Sequence, residues 1–127
     1  MTEKTVLLIE DDPLLSDLTK EILAAEGFTV AQAATLAEVN TALDTVGPQW
    51  AIVDFQLEGW DGLSAIQALR AARGSVITVI ALSGWPWSDE RLTGFMNAAD
   101  HCLQKPVDWD ELLRIVGADA TPPVVAT

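Results

Sequence analysis

The chain has 127 residues, half of them hydrophobic, which suits one domain around one continuous core and excludes two. Nineteen acids against seven basic residues give a formal net charge of -12, which argues against nucleic acid or an anionic membrane as a direct partner. A lone cysteine, Cys102, excludes an internal disulfide and any Cys-based zinc cluster.

Strand and helix signals alternate along the chain. The first apolar run, 6–9, reads as a short strand and stops abruptly at Glu10-Asp11-Asp12. It is too short for a signal peptide or a membrane span, so a cytoplasmic location is expected. Asp12 is placed to cap a helix with Pro13 at its first position, where the missing N–H costs nothing. Leu14, Leu18 and Ile22 recur at i, i+4 and i+8 and predict that helix's inward stripe, closed by Gly27. Leu15 lies beside the stripe and is a candidate docking residue.

Residues 28–30 form a second, weaker strand signal. Thr35 and Glu38 spell a capping box ahead of Leu36, Val39 and Leu43, with Gly47-Pro48 as the stop. Ala51-Ile52-Val53 after Trp50 is a third buried strand, ending on Asp54 and followed by a turn-rich stretch with two glycines. Asp61 caps a helix carrying Leu63, Ile66 and Leu69 that ends at Gly74.

The longest apolar run, 76–82, predicts an interior strand buried on both faces, leading into Ser83-Gly84 and Trp85-Pro86-Trp87. Ser88 is expected to cap a fourth helix with Asp89 and Glu90 in its first turn. Gly94 makes that helix the least rigid of the five. Residues 101–103 give a fifth strand, then Lys105-Pro106 and a helix opened by Asp108-x-x-Glu111 that ends near Gly117. Residues 118–127 hold two prolines and no periodicity, so the domain is expected over 1–117 with a frayed tail behind it.

Five strands alternating with five helices imply an α/β domain with a parallel sheet covered on both faces. The carboxyl ends of its strands share one edge, which brings Glu10, Asp11, Asp12, Asp54, Ser83 and Lys105 together. Converging carboxylates repel, and a hard divalent cation that keeps several waters, such as Mg²⁺, relieves them. A lysine and a hydroxyl beside them suit a phosphoryl oxygen. The constellation reads as an aspartate that accepts phosphate.

These four separated motifs, in this order over about residues 4 to 117, resemble a response-regulator receiver domain. The resemblance implies a flavodoxin-like doubly wound sheet of five parallel strands, order 2-1-3-4-5, with five helices. It implies Asp54 as phosphoacceptor, Lys105 and Ser83 as its partners, and Mg²⁺ held by Glu10, Asp11, Asp54 and the Gln56 backbone carbonyl. A cis Lys105-Pro106 bond is implied as well. The expected role is a stand-alone, non-enzymatic signalling domain that promotes its own Mg²⁺-dependent phosphorylation and dephosphorylation. Its partners would be a sensor histidine kinase or histidine phosphotransfer protein and a downstream target protein, without direct nucleic-acid or membrane contact.

Departures from the family pattern are specific. The aromatic residue expected three before the lysine is Cys102, and the proline expected after the acceptor is Glu58. The last helix is short for the family's dimerising face, leaving at most a weak dimer. Trp85, two residues after Ser83, either folds over the acceptor and excludes water or joins Trp87 in a docking patch. The alternatives are a receiver excised from a hybrid kinase, against which Met1 argues, and a docking module that takes no phosphate. A phosphatase with a strand-end Asp nucleophile would need a second Asp where Gln56 stands.

Overall fold

The computed structural model describes residues 4–120. Five strands, β1 Thr5–Ile9, β2 Thr29–Ala33, β3 Trp50–Asp54, β4 Thr78–Ser83 and β5 His101–Gln104, make one parallel sheet in the order β2-β1-β3-β4-β5. Between and after them run α1 Pro13–Ala25, α2 Leu36–Thr45, α3 Gly62–Arg73, α4 Thr93–Ala98 and α5 Trp109–Ala120. This is the expected flavodoxin-like architecture. α5 continues three residues past Gly117, and the rest of the expected tail, 121–127, lies outside the described residues. No helix among the described residues is long and apolar enough to cross a membrane.

Alternation along the strands divides the core in two. Leu7, Ile9, Ala51, Val53, Val79 and Ala81 face one way, with Val39 and Leu43 of α2, Ile66 and Leu69 of α3 and Phe95 of α4. Val6, Leu8, Ile52, Ile80 and Leu82 face the other, with Leu23 of α1 and Leu112 and Val116 of α5. Because both faces are covered, β1 and β3 are buried along their whole length and read as unbroken apolar runs. The chain leaves β1 over one face and β3 over the other, so the two connections diverge and open a crevice at the carboxyl edge.

The inward stripe of α1 is not the predicted one. Leu14 and Leu18 are 83% and 45% exposed, Leu15 is half-buried, and the buried positions are Ser16, Thr19 and Leu23. Both hydroxyl residues bury at little cost because their polar groups are met. Thr19 Oγ1 donates to the Leu15 carbonyl at 2.7 Å, and Ser16 Oγ accepts from Gln32 Nε2 at 2.8 Å. A stripe sought only among apolar residues misses this face.

Helix caps mostly follow local chemistry. Asp12 accepts from the Leu14 and Leu15 amides, Asp61 from Ser64 and Asp108 from Glu111. The Thr35 box is offset by one residue: Thr35 Oγ1 accepts from Glu38 N, whereas Glu38 Oε1 accepts from Ala34 N at 2.7 Å. Ser88 does not cap the fourth helix. Asp89 caps a preceding 3-10 turn, Glu90–Leu92, accepting from Arg91 N at 2.9 Å, whereas the α-helix proper, Thr93–Ala98, starts from Leu92 with no side-chain cap. Val76, predicted in a strand, is exposed in a 3-10 turn before β4.

A two-stranded hairpin, Gln56–Leu57 with Trp60–Asp61, follows β3 and was not anticipated. It turns at Gly59, whose φ of 83° suits glycine. Gly62 then starts α3 against the acceptor loop: a Cβ there would lie 2.5 Å from the Asp54 carbonyl oxygen and 2.6 Å from the Phe95 ring. Gly62→Ala should therefore destabilise by about 3 kcal/mol, the upper end of overpacking costs. Gly84, with open space around its missing Cβ, should tolerate alanine within about 0.5 kcal/mol. Urea unfolding of both variants checks this, and equal effects would contradict the close packing at Gly62.

Candidate functional site

β3 ends on Asp54 and β1 runs into Glu10, which leaves these two carboxylates 5% and 4% exposed at the base of the crevice. Asp54 is fixed from both sides, because the Phe55 amide continues the ladder to the Leu82 carbonyl and the Phe55 carbonyl accepts from Gly62 N. Asp11 follows Glu10 and is half-buried. One oxygen from each of Glu10, Asp11 and Asp54 lies within 4.8 Å of the other two.

A single ammonium answers this charge. Lys105 Nζ is 3.1 Å from Asp54 Oδ1 and 3.3 Å from Glu10 Oε1. The bond joining Lys105 to Pro106 is cis, as the family resemblance implied. Burial, and then the charge of Asp54, pushes Glu10 up to about 7. Burial also raises Asp54, against the pull of Lys105. Burial opposes charge on Lys105 as well, but its two carboxylate partners outweigh it and hold the lysine above its usual range. Three carboxylates gathered against one ammonium are a donor set that fits a hard divalent cation.

The Asp11 carboxylate accepts a short hydrogen bond from the Glu58 amide in the hairpin turn. A proline at this position would have no N–H to give, so the departure from the family pattern supplies a contact. Gln56 opens the hairpin two residues after Asp54, with its side chain exposed. Asp12 is engaged as the α1 cap, and its own amide donates to Glu10 Oε2 at 3.2 Å.

Ser83 closes β4, buried, with its hydroxyl bonded to the Trp85 backbone in both directions. Trp85 itself is half-buried, edge-on to Phe55 at 5.3 Å and covered by the Arg91 guanidinium at 3.8 Å from its ring centre. Beyond it opens a cleft of about 500 Å³ lined by Phe55, Gln56, Leu57, Trp60, Trp85 and Arg91. Trp87 packs instead on Phe95. Cys102 faces the Met96 carbonyl at 3.9 Å, and burial pushes its thiol up, away from reactivity.

Glu10, Asp11, Asp54 and Lys105 thus converge as the strand-end argument requires, across 95 residues of chain. Sequence reading missed Gly62, Glu58, Gln104 and Arg91 as site-shaping residues. Only Glu58 carried a signal, as a break in the family pattern.

Known proteins share this arrangement. Residues 6–117 match the family described as the response regulator receiver domain. The DNA-binding dual master transcriptional regulator RpaA of Synechocystis is 32% identical over 114 residues, 89% of this chain and 47% of that protein. The transcriptional regulatory protein TrcR of Mycobacterium tuberculosis is 32% identical over 108 residues, 85% of this chain and 42% of that protein. The chain therefore spans about half the length of these two curated relatives. Among solved structures, a CheY-like receiver domain from Methanospirillum hungatei has a TM-score of 0.83 at 28% identity, covering 93% of this chain and 94% of that one. The receiver domain of sensor histidine kinase PA1611 from Pseudomonas aeruginosa, described with a magnesium ion coordinated in its active site cleft, has a TM-score of 0.79 at 25% identity, covering 91% and 95%. The buried acid cluster, the strand-end lysine and a family match over nearly the whole sheet lead to one conclusion: this chain belongs to the response regulator receiver domains.

Proposed function

We propose that Asp54 accepts a phosphoryl group from a phosphohistidine of a sensor kinase or phosphotransfer protein, and that the modified domain signals by binding another protein. The observation that carries this is the Lys105 ammonium held 3.1 Å from a nearly buried Asp54 carboxylate. In the transfer, an Asp54 oxygen forms the new O–P bond while the donor's N–P bond breaks and its electron pair returns to the imidazole. Lys105, already poised between Asp54 and Glu10, is positioned to follow the charge onto the phosphoryl oxygens. The Ser83 hydroxyl supplies a neutral donor at the same edge. Glu10, Asp11, Asp54 and the Gln56 carbonyl would hold Mg²⁺, which when bound offsets the negative charge gathered there. The formal charge of -12 opposes a polyanion, which favours protein over nucleic acid as the direct partner.

The exposed Leu14 and Leu18 stand one turn apart on α1, just beyond the Asp12 cap. They replace Leu15 as the docking residues for the phosphodonor protein, because Leu15 is half-buried against the domain.

Incubation with a small acyl phosphate and Mg²⁺ should add one phosphoryl group by intact mass. Asp54→Asn should abolish that gain and Lys105→Ala should reduce it by an order of magnitude or more, the scale of losing one charge-stabilising group. Equal labelling of Asp54→Asn would remove Asp54 from the role.

Leu14→Ala with Leu18→Ala should slow transfer from a phosphohistidine protein at least tenfold, about 1.4 kcal/mol of recognition. Labelling by the small donor and the urea midpoint should stay unchanged. Equal slowing with both donors would rule out a docking face.

In EDTA, stability should rise as the pH falls from 8 toward 5. The folded-state Glu10 sits at about 7 against an ordinary 4.5, so between those values the folded chain keeps a proton that the unfolded chain has lost. The contribution is complete below the lower value and is lost as the pH climbs through the upper one, a swing on the order of 3 kcal/mol. Mg²⁺ at about a hundredfold excess over Kd should add about 2.7 kcal/mol at pH 8 and less at pH 5.5, where protons compete with it. Urea melts across this range decide the matter, and a stability in EDTA that falls between pH 7.5 and 5.5 would contradict the burial and repulsion that hold Glu10 high.

A further inference from the structure

The cleft beside the acceptor loop, about 500 Å³, has two indole walls, Trp85 and Trp60, and only one of them meets a cation. On the Trp85 side the chain supplies its own. The Arg91 guanidinium lies 3.8 Å from the Trp85 ring centre and is forked onto Asp89 at 3.0 and 2.7 Å. Indole, guanidinium and carboxylate form a complete set, because the face of the ring attracts a cation and the carboxylate offsets its charge.

On the hairpin side the same parts recur without the cation. Trp60 is half-buried, and its Nε1 donates to the Ala34 carbonyl at 3.2 Å, which fixes the ring against the core. Asp61, next in the chain, is exposed and caps α3 through Oδ1 alone, accepting from Ser64 N at 3.0 Å and Ser64 Oγ at 3.2 Å. Among the described residues Asp61 has no ion pair, and Arg91 is the one basic residue lining the cleft. Phe55 adds a third aromatic surface and Leu57 an apolar one. Acids flank both sides, with Glu58 in the hairpin turn and Glu90 next to Arg91, each exposed.

We propose that this cleft docks an arginine-bearing segment of a partner protein, the arginine lying over Trp60 with its guanidinium bonded to Asp61 Oδ2. A guanidinium is planar and weakly hydrated, so it stacks on an indole and pairs with a carboxylate at once, as Arg91 does within the chain. Charge selects the sign of the occupant. The formal net charge of -12 and the acids on both sides repel an anion and attract a basic segment. Size selects a segment over a lone cation, since about 500 Å³ has room for a drug-sized ligand and exceeds one guanidinium. A ring already held in place, as Trp60 is, loses little freedom on binding. The cleft shares with the proposed function a protein partner, but it does not depend on phosphorylation of Asp54.

The test titrates the full, unphosphorylated chain with the blocked peptide acetyl-Gly-Arg-Arg-Gly-amide and follows the indole N–H signals by NMR. Salt at about 0.15 M screens charges more than about 8 Å apart, which suppresses adsorption by net charge alone. The Trp60 and Trp85 signals, assigned through Trp60→Leu and Trp85→Phe, should move together and saturate. Trp50 and Trp109, packed on the opposite face of the sheet, should stay in place. Asp61→Asn keeps the helix cap and removes the charge, so it should weaken binding about fivefold or more with an unchanged urea midpoint. Trp60→Leu keeps apolar bulk, removes the indole, and should weaken binding by a similar factor. The same peptide with citrulline in place of arginine should not bind. Equal binding of the citrulline peptide, or equal binding by wild type and Asp61→Asn, overturns the proposal. Arginine amide binding as tightly as the peptide overturns it too, because the cleft would then be a site for a small cation. Peptide binding and the phosphoryl mass gain are separate readings, so the failure of one is distinguishable from the failure of the other.

Discussion

Two carboxylates withdrawn from water against one ammonium govern this molecule. Glu10 and Asp54 are buried at the floor of the crevice, and Lys105 bridges them. Such a cluster is costly because each charge loses its hydration and the carboxylates repel. It persists because the flanking backbone is over-determined. The Phe55 amide and carbonyl are both bonded, and Lys105 N donates to the Ser83 carbonyl at 2.8 Å. The excess of negative charge is the chemical resource of the site, since it makes an added cation or a proton stabilising.

Topology places that cluster. β1 and β3 are neighbours whose following connections leave over opposite faces, so the space above their ends cannot be filled by either helix. The hairpin after β3 and the start of α3 then narrow the opening. Gly62 lets α3 begin against the Asp54 carbonyl, and the Glu58 amide holds Asp11 from the hairpin turn. The acceptor loop is thus packed from beneath and hydrogen-bonded from the side.

The β4–α4 segment is built differently. Its α-helix has six residues and follows a 3-10 turn, so few backbone bonds resist its movement. Order there comes from side chains: the Ser83–Trp85–Gln104 bonds, the Phe55–Trp85 edge contact, and the Asp89–Arg91 fork over the indole. Beneath these side-chain bonds, Leu92 and Phe95 anchor the segment in the core, fully buried.

What the sequence alone determined is whatever depends on near neighbours along the chain. Continuous apolar runs ending on acids marked β1 and β3, and Asp12, Asp61 and Asp108 announced their helices, because a cap needs only amides two or three residues away. Strand-end placement then brought Glu10, Asp11, Asp54 and Lys105 together, since parallel crossovers leave all carboxyl ends on one edge. The tertiary structure alone decided which face of α1 is buried. Ser16 turns inward because Gln32, on β2, meets its hydroxyl, so Leu14 and Leu18 are left in water. It also decided that Asp89 caps where Ser88 was expected, that Gly62 touches the Asp54 carbonyl, and that the Ser83 hydroxyl is bonded to Trp85. For Ser16 and Gly62 the energy lies in a contact between residues remote in sequence; for Asp89 and Ser83 it lies in the choice among competing nearby hydrogen-bond partners. Such terms have no signature in local spacing.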